Sequence, residues 1–277
     1  MRFLIAVLTE VRRRVGPNFV VGLRYTADES NEGGMGPEEG TEIARCVAAT
    51  GLVTYLSLNG AYGGSARGMS EAFPGMGTPS APYLDLAKQV RAASGLPVMQ
   101  AARITDASTA NFAVESGALD MVGMVRPQIA DPHIMSKLMA GNENHIRPCV
   151  GAGLCVDRVD MGGDMICVHN ISAGRESKYP DRYQTTAVPR RVVVVGGGPG
   201  GMEAARVARL CGHEVILLEA ADRLGGQILL AAQAKSRRDI VGISDWLAAE
   251  LDRLGVDLRY NTYAEEEDVI SHKPDTV

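Results

Sequence analysis

The stretch RPCVGAGLCVDRVDMGGDMIC places Cys149, Cys155 and Cys167 within nineteen residues of a chain that has only five cysteines. Clustered thiols can hold a metal or an iron–sulfur cage, form a disulfide, or do nothing. An odd cysteine count without a secretory signal argues against the disulfide. Midway between the first two cysteines stands Ala152, where a fourth ligand is expected, and its methyl group ligates nothing. Cys46, inside an expected helix, and Cys211, at a helix end, read as packing residues.

The second constellation is VVVVGGGPGGMEAARVARLCGHEVILLE. Gly196, Gly198 and Gly201 follow a four-valine run and open a helical stretch, and a second apolar run ends at Glu219, eighteen residues after Gly201. Gly196 permits a tight turn, and Gly198 lets the backbone approach a pyrophosphate at the helix N-terminus. Gly201 allows close helix–strand packing, and Glu219 can accept from a ribose hydroxyl. The acid favours an unphosphorylated adenosine ribose (FAD, NAD or ADP) over NADP. A glycine-rich turn in an ordinary α/β domain would not bring strand, loop, helix, strand and acid into this register.

The elements that must position these residues follow from the apolar periods. Phe3, Leu4, Val7, Leu8, Val11 and Val15 make a helical stripe, followed by a strand in FVVGLRY. A helix from Thr41 to about Ala49, a strand LVTYLSL, a helix PYLDLAKQVRAAS and a strand LPVMQAA come next. A helix around Ser108 to Ser116, a strand LDMVGMV and a helix starting near Pro127 complete the run. Near-continuous apolar strands alternating with helices predict a parallel sheet covered by helices. Loops after the strands carry Arg24, Asn59, Arg103 and Arg126, which suggests a (β/α) barrel with its chemistry at the strand C-terminal ends. Only four strands are visible where a closed barrel needs eight, so the chain reads as a piece of a longer protein, with Met1 an internal methionine. The boundaries expected are 1–140 for the barrel half, 141–187 for a cysteine-containing linker, and 188–277 for an incomplete dinucleotide-binding domain.

Composition narrows the partners. The chain has 277 residues, 45% of them hydrophobic, a net charge of −5 and mean hydropathy −0.02. These values describe a globular chain and disfavour nucleic acid or an anionic membrane as partner. No eighteen-residue apolar run and no signal peptide appear, which predicts a cytoplasmic protein.

At this point the motifs resemble a known family. VVVVGGGPGGMEAARVA with VILLEAADRLGGQ resembles the two-dinucleotide-binding flavoprotein fold. VGMVRPQIADPHIMSKLMAGNENHIRPCVGAGLCVDR with CVHNISAGRE resembles the junction found in trimethylamine dehydrogenase and bacterial 2,4-dienoyl-CoA reductase. These enzymes join an old-yellow-enzyme FMN barrel, a 4Fe-4S cluster and a C-terminal domain for FAD or ADP. The resemblance implies the C-terminal half of a TIM (β/α)8 barrel followed by an iron–sulfur-type linker and a Rossmann-like domain. It implies that Arg24 lies against the flavin pyrimidine end, favouring negative charge on reduced FMN. It places Ala102 and Arg103, with Gly123, Met124 and Arg126, at the FMN phosphate. Taken singly each arginine reads as a surface ion pair; three at strand ends in motif order read as a site. In the last domain Pro199, Arg223 and Gln227 join Gly196, Gly198, Gly201 and Glu219 around the nucleotide.

The family's four-cysteine motif maps onto Cys149, Cys155 and Cys167, with Ala152 in the second position. Three readings stay open: a 4Fe-4S cluster with a non-cysteine fourth ligand, a 3Fe-4S cluster on three thiolates, or a metal-free loop. His145 and His169 are near enough in sequence to donate. The trimethylamine branch carries an aromatic residue where Val159 follows Arg158 here, which argues against trimethylamine itself. Tyr62 and Arg67, in the loop NGAYGGSARGMSEAFPGMG, stand as candidate substrate contacts or as parts of a mobile loop.

The reading is a flavin-dependent oxidoreductase that transfers hydride between a small organic substrate and barrel FMN. Oxidative N-demethylation is preferred, on the likeness of RPCVGAGLC to an N-methylproline demethylase-type branch, and NAD(P)H-dependent enoyl- or dienoyl-thioester reduction is second. A non-catalytic nucleotide-binding scaffold is the alternative of another class. NAD(P)H or an electron-transfer flavoprotein is the expected redox partner, and a homo-oligomer is compatible. The catalytic acid or base is expected on the N-terminal half of the barrel.

Overall fold

The computed structural model describes all 277 residues, which form two compact units, Met1–Arg126 and Pro127–Val277. The first contains α1 (Arg2–Val15), β1 (Gly22–Asp28), α2 (Pro37–Ala48), β2 (Tyr55–Gly60), α3 (Ala66–Ala72), α4 (Leu84–Ser94), β3 (Val98–Gln100), α5 (Ala107–Glu115) and β4 (Met121–Val122). The four strands are all parallel, in the order β1-β2-β3-β4. Parallel neighbours need a crossover, and helices supply one between each pair.

Side chains alternate across this sheet. Leu23, Tyr25, Ala27, Leu56, Leu58 and Val98 share a core with Ala44 and Val47 of α2 and Ala87 and Val90 of α4. The register pairs Arg24 with Ser57, Ser57 with Met99 and Met99 with Met121, so these four form one row on the opposite face. The cationic candidate on β1 is thereby separated from the helix-packed core.

Several element boundaries differ from the sequence reading: the expected strand LDMVGMV is only Met121–Val122, LPVMQAA only Val98–Gln100, and α3 stands inside the expected loop NGAYGGSARGMSEAFPGMG. β1 starts at Gly22 rather than Phe19, because Arg12 ties up the preceding segment. Its Nη1 donates to the carbonyls of Gly16, Pro17 and Phe19, and its Nη2 donates to that of Leu52. α2 begins at Pro37, four residues before Thr41, with proline in its first turn and Glu38 and Glu39 favourably placed there. α1 forms over the predicted stripe, yet only Leu8 of it is buried and Phe3 is 83% exposed. Cys46 is exposed, not packed: it lies off the α2 face that buries Gly40, Ala44 and Val47, with Sγ 3.6 Å from Glu42 Oε1.

α6 (Val125–Ala130) crosses the division between the units. The second unit continues with α7 (Ile134–Met139), α8 (Leu154–Asp160), β5 (Arg191–Val195), α9 (Pro199–Leu210), β6 (Glu214–Leu218), α10 (Gln227–Ala231), α11 (Val241–Arg253), β7 (Asp257–Arg259) and α12 (Glu266–Ser271). Its three strands are parallel in the order β5-β6-β7. Val215, Ile216, Leu217 and Leu218 are buried in succession, as expected of a strand covered on both faces. No helix is long and apolar enough to cross a membrane.

Candidate functional site

The first candidate site lies at the C-terminal ends of β1 to β4. Three of the six non-glycine residues with positive φ follow these strands, Ser30, Ala61 and Arg103, and a fourth, Ala81, donates its N–H to Arg103 O. Left-handed backbone at such residues costs about 1–3 kcal/mol each and concentrates at functional loops. Arg103, at φ 48°, donates from Nε to the Thr78 carbonyl at 2.7 Å, while its own carbonyl accepts from Ala81 N–H. Gly123 follows β4 and donates its N–H to Gln100 O at 2.9 Å. A Cβ there would stand 2.5 Å from the Ala101 Cβ, so only glycine fits.

Arg126 buries its Nη1 without a hydrogen-bond partner. A buried cationic donor left unpaired is costly, and an anion such as phosphate would satisfy it. Gln100 was not singled out from the sequence, although a glutamine inside an apolar strand was the available signal. It is 1% exposed, and its Nε2 also has no partner. Ala102 is buried, Met124 packs against the core, and Arg24 is exposed without an ion pair. Asn59 donates locally to Ala61 O. Of the mouth-loop residues, Tyr62 is exposed and Arg67 pairs with Glu71 at 2.8 Å on α3.

The second candidate site is the glycine loop. Gly196 adopts φ 101°, Gly198 caps α9, and Pro199 takes its first turn. Space in front of Gly198 is open, whereas a Cβ on Gly201 would stand 1.9 Å from Gly196 O. Close packing of α9 on β5 therefore requires glycine at 201. Glu219 accepts from Gly197 N–H at 2.6 Å through Oε2 and from Ala221 N–H at 2.7 Å through Oε1. Each oxygen keeps a further lone pair for a ribose hydroxyl. Gly225 N–H donates to Gly197 O, and Gly226 lies against Gly198, so the segment RLGGQ flanks the loop. Arg223 and Gln227 are exposed beside it. Gly197, Gly225 and Gly226 were missed as individual site residues because their role is contact between two loops.

The cysteine loop is the third. Cys149, Cys155 and Cys167 are half-buried, and Ala152 is exposed between Gly151 and Gly153, both at positive φ. No three His, Cys, Asp or Glu side chains close on a single-ion site. The loop is held by a buried stack. Arg147 covers the Trp246 ring at 4.4 Å, donates to the His169 carbonyl, and offers its backbone N–H to Asp131. His169 places Nε2 2.7 Å from Pro148 O, and its Nδ1 is buried without a partner. Burial pushes the His169 imidazole down to about 4, with the Arg147 charge adding to the effect, so the ring is neutral at physiological pH. His145 contributes its carbonyl, to Lys137 and to Trp246 Nε1.

Residues 165–272 match the pyridine nucleotide-disulphide oxidoreductase family. The chain is 44% identical over 277 residues to a probable N-methylproline demethylase of Rhizobium meliloti (strain 1021), covering all of this chain and 41% of that protein. It is 43% identical to a multifunctional alkene reductase/demethylase of Caballeronia cordobensis, covering all of this chain and 40% of the relative. The structure of a 2-naphthoyl-CoA reductase bound to 2-naphthoyl-CoA superimposes with a TM-score of 0.92 at 30% identity, over 99% of this chain and 41% of that one. The chain thus spans about two fifths of the length of the curated relatives it matches. Residues 1–145, more than half of the chain, match the remaining family, so the chain belongs to the NADH:flavin oxidoreductase / NADH oxidase family.

Proposed function

We propose that the protein is a flavin-dependent oxidoreductase in which the first unit holds FMN and the second holds FAD or ADP. The observation that carries this reading is the buried, unpartnered Nη1 of Arg126 one turn from Gly123, where no side chain fits. Arg103 and Arg126 would bind the phosphate as cations, with the backbone of Ala102, Gly123 and Met124 beside them. Arg24 would place a guanidinium where negative charge develops on a reduced ring. FMN bound there would supply hydride transfer to or from the substrate. Gly196, Gly198, Pro199 and Gly201 would approach the pyrophosphate, Glu219 the ribose, and Arg223 and Gln227 the open side of the site.

Oxidative N-demethylation of a methylated amine or amino acid is the preferred reaction, supported by the demethylase names of the two relatives. Enoyl-thioester reduction is second, supported by the alkene reductase name and the 2-naphthoyl-CoA reductase structure. Cys149, Cys155 and Cys167 are assigned to an iron–sulfur cluster, which would supply one-electron transfer. A division at 1–140, 141–187 and 188–277, a cytoplasmic site, and NAD(P)H or an electron-transfer flavoprotein as redox partner belong to the same proposal.

Anaerobic mixing of the full-length protein with N-methylproline, while flavin absorbance is followed, tests the reading. Bleaching by the N-methylated amino acid supports demethylation. Bleaching by NADH followed by reoxidation with an enoyl thioester supports the reductase reading. A purified protein without flavin, and unable to take up FMN, would sink both.

A further inference from the structure

His169 follows Cys167 by two residues, and its Nε2 lies 2.7 Å from the carbonyl of Pro148, the residue before Cys149. The imidazole therefore ties together the two ends of the cysteine loop. A carbonyl oxygen only accepts, so Nε2 carries the hydrogen and Nδ1 carries a lone pair. That Nδ1 is buried and has no partner. Imidazoles that ligate metals are held in this way: one N–H donates to a backbone carbonyl, which fixes the tautomer, and the other nitrogen faces the metal. The ring is immobilised further by an edge contact with Trp246, centroids 6.4 Å apart, and by the Arg147 guanidinium on the His169 carbonyl.

We infer that Nδ1 of His169 is the fourth protein ligand of an iron–sulfur cluster on this loop, replacing the donor that Ala152 lacks. The inference rests on the proposed assignment of Cys149, Cys155 and Cys167 and concerns only the fourth donor. Imidazole replaces thiolate on iron in Rieske 2Fe-2S centres, so it is chemically competent for cluster iron. The absence of a single-ion site is compatible with it. The ligands of a cage bind different irons around its outside and need not converge on one point. His145 is the weaker candidate, because it is its carbonyl that the structure engages, not its ring.

The test uses anaerobically purified full-length protein, with iron and sulfide analysis and pulsed EPR for nitrogen coupling. About four irons per chain and an imidazole coupling are expected in the native protein. His169→Gln can still donate to Pro148 O, which preserves the loop contact, yet iron should fall to about three and the coupling should vanish. Ala152→Cys combined with His169→Gln should recover about four irons without nitrogen coupling. Four irons in His169→Gln, three irons in the native protein, or no coupling in the native protein would overturn the inference and leave the cluster assignment standing. No iron in any of these proteins overturns both.

Discussion

Under the proposed assignments the two units would meet an anion by different physics. The second relies on backbone: Gly196 at φ 101°, open space at Gly198, and the start of α9, with the acid Glu219 fixed by two N–H groups. The first relies on side-chain charge. Arg126 leaves a buried nitrogen unpaired, and Arg103 is held at φ 48° by its bonds to Thr78 and Ala81. A helix N-terminus with bare glycines attracts phosphate without any counter-charge. A strand-end loop lacks that dipole and needs guanidinium. The glycine loop should therefore fail through shape, and the arginine site through charge.

The largest effect is expected from Gly201→Ala. The new Cβ would stand 1.9 Å from Gly196 O, a backbone atom that moves only if α9 shifts from β5. Overpacking of this kind costs up to about 3 kcal/mol. Both the thermal midpoint of the second unit and ADP binding should fall. An unchanged midpoint would mean that the helix is free to shift and that shape does not govern this loop.

Arg126→Met should do the reverse in the first unit. It removes a charge-assisted contact worth about 1.5–3 kcal/mol, which weakens FMN binding about 10- to 100-fold. It also removes a buried unpaired donor, so the apo protein should not lose stability. Flavin titration together with apo-protein melting checks this. Equal losses in both readouts would place Arg126 among ordinary structural residues.

Glu219→Gln is intermediate between the two. One backbone N–H, from Gly197 or Ala221, would then face an amide NH2 instead of an oxygen. A cost of about 1–2 kcal/mol follows, with ADP affinity reduced about tenfold. Isothermal titration with ADP and with adenosine 2′-phosphate compounds should also show the discrimination against the extra phosphate relaxed. Retained discrimination would move specificity elsewhere.

The same contrast explains what could be read from sequence. The glycine loop was legible because its geometry is local: Gly196 to Gly201 and the run ending at Glu219 fall inside one βαβ unit. The parallel sheet of the first unit was legible from its apolar runs. The partner state of each arginine was not, because it depends on contacts between loops far apart in sequence. Arg103 meets Thr78, whereas Arg67 closes onto Glu71 of its own helix. Arg12 delayed β1 by holding three carbonyls, which no propensity encodes. Cys46 and Cys211 looked alike as sequence, yet only Cys211 is partly covered. His169 was one of two nearby histidines until its bond to Pro148 set its tautomer.

The smallest effect concerns the opposite end of the first sheet. Asp120 accepts from Arg91 through both oxygens, at 2.8 and 2.9 Å, and from the N–H of Val98 at the start of β3. The Arg91 guanidinium holds the Asp120 carboxyl below its usual range, and burial opposes this only in part. A folded-state value below the unfolded one stabilises the protein at pH above about 4. That stabilisation is lost as the pH falls through the folded value. The pair is partly exposed, so its contribution is small and screened by salt. Arg91→Gln should lower the midpoint slightly at pH 7, and the difference from the native protein should close towards pH 3. A difference independent of pH would mean that the bond to the Gly117 carbonyl, and not the ion pair, is what Arg91 contributes. Stability in barrel-type sheets resides at strand N-terminal ends and chemistry at C-terminal ends. A satisfied ion pair at one end, and at the other a strained Arg103 backbone and a buried Arg126 Nη1 without a hydrogen-bond partner, are the form that division takes in this chain.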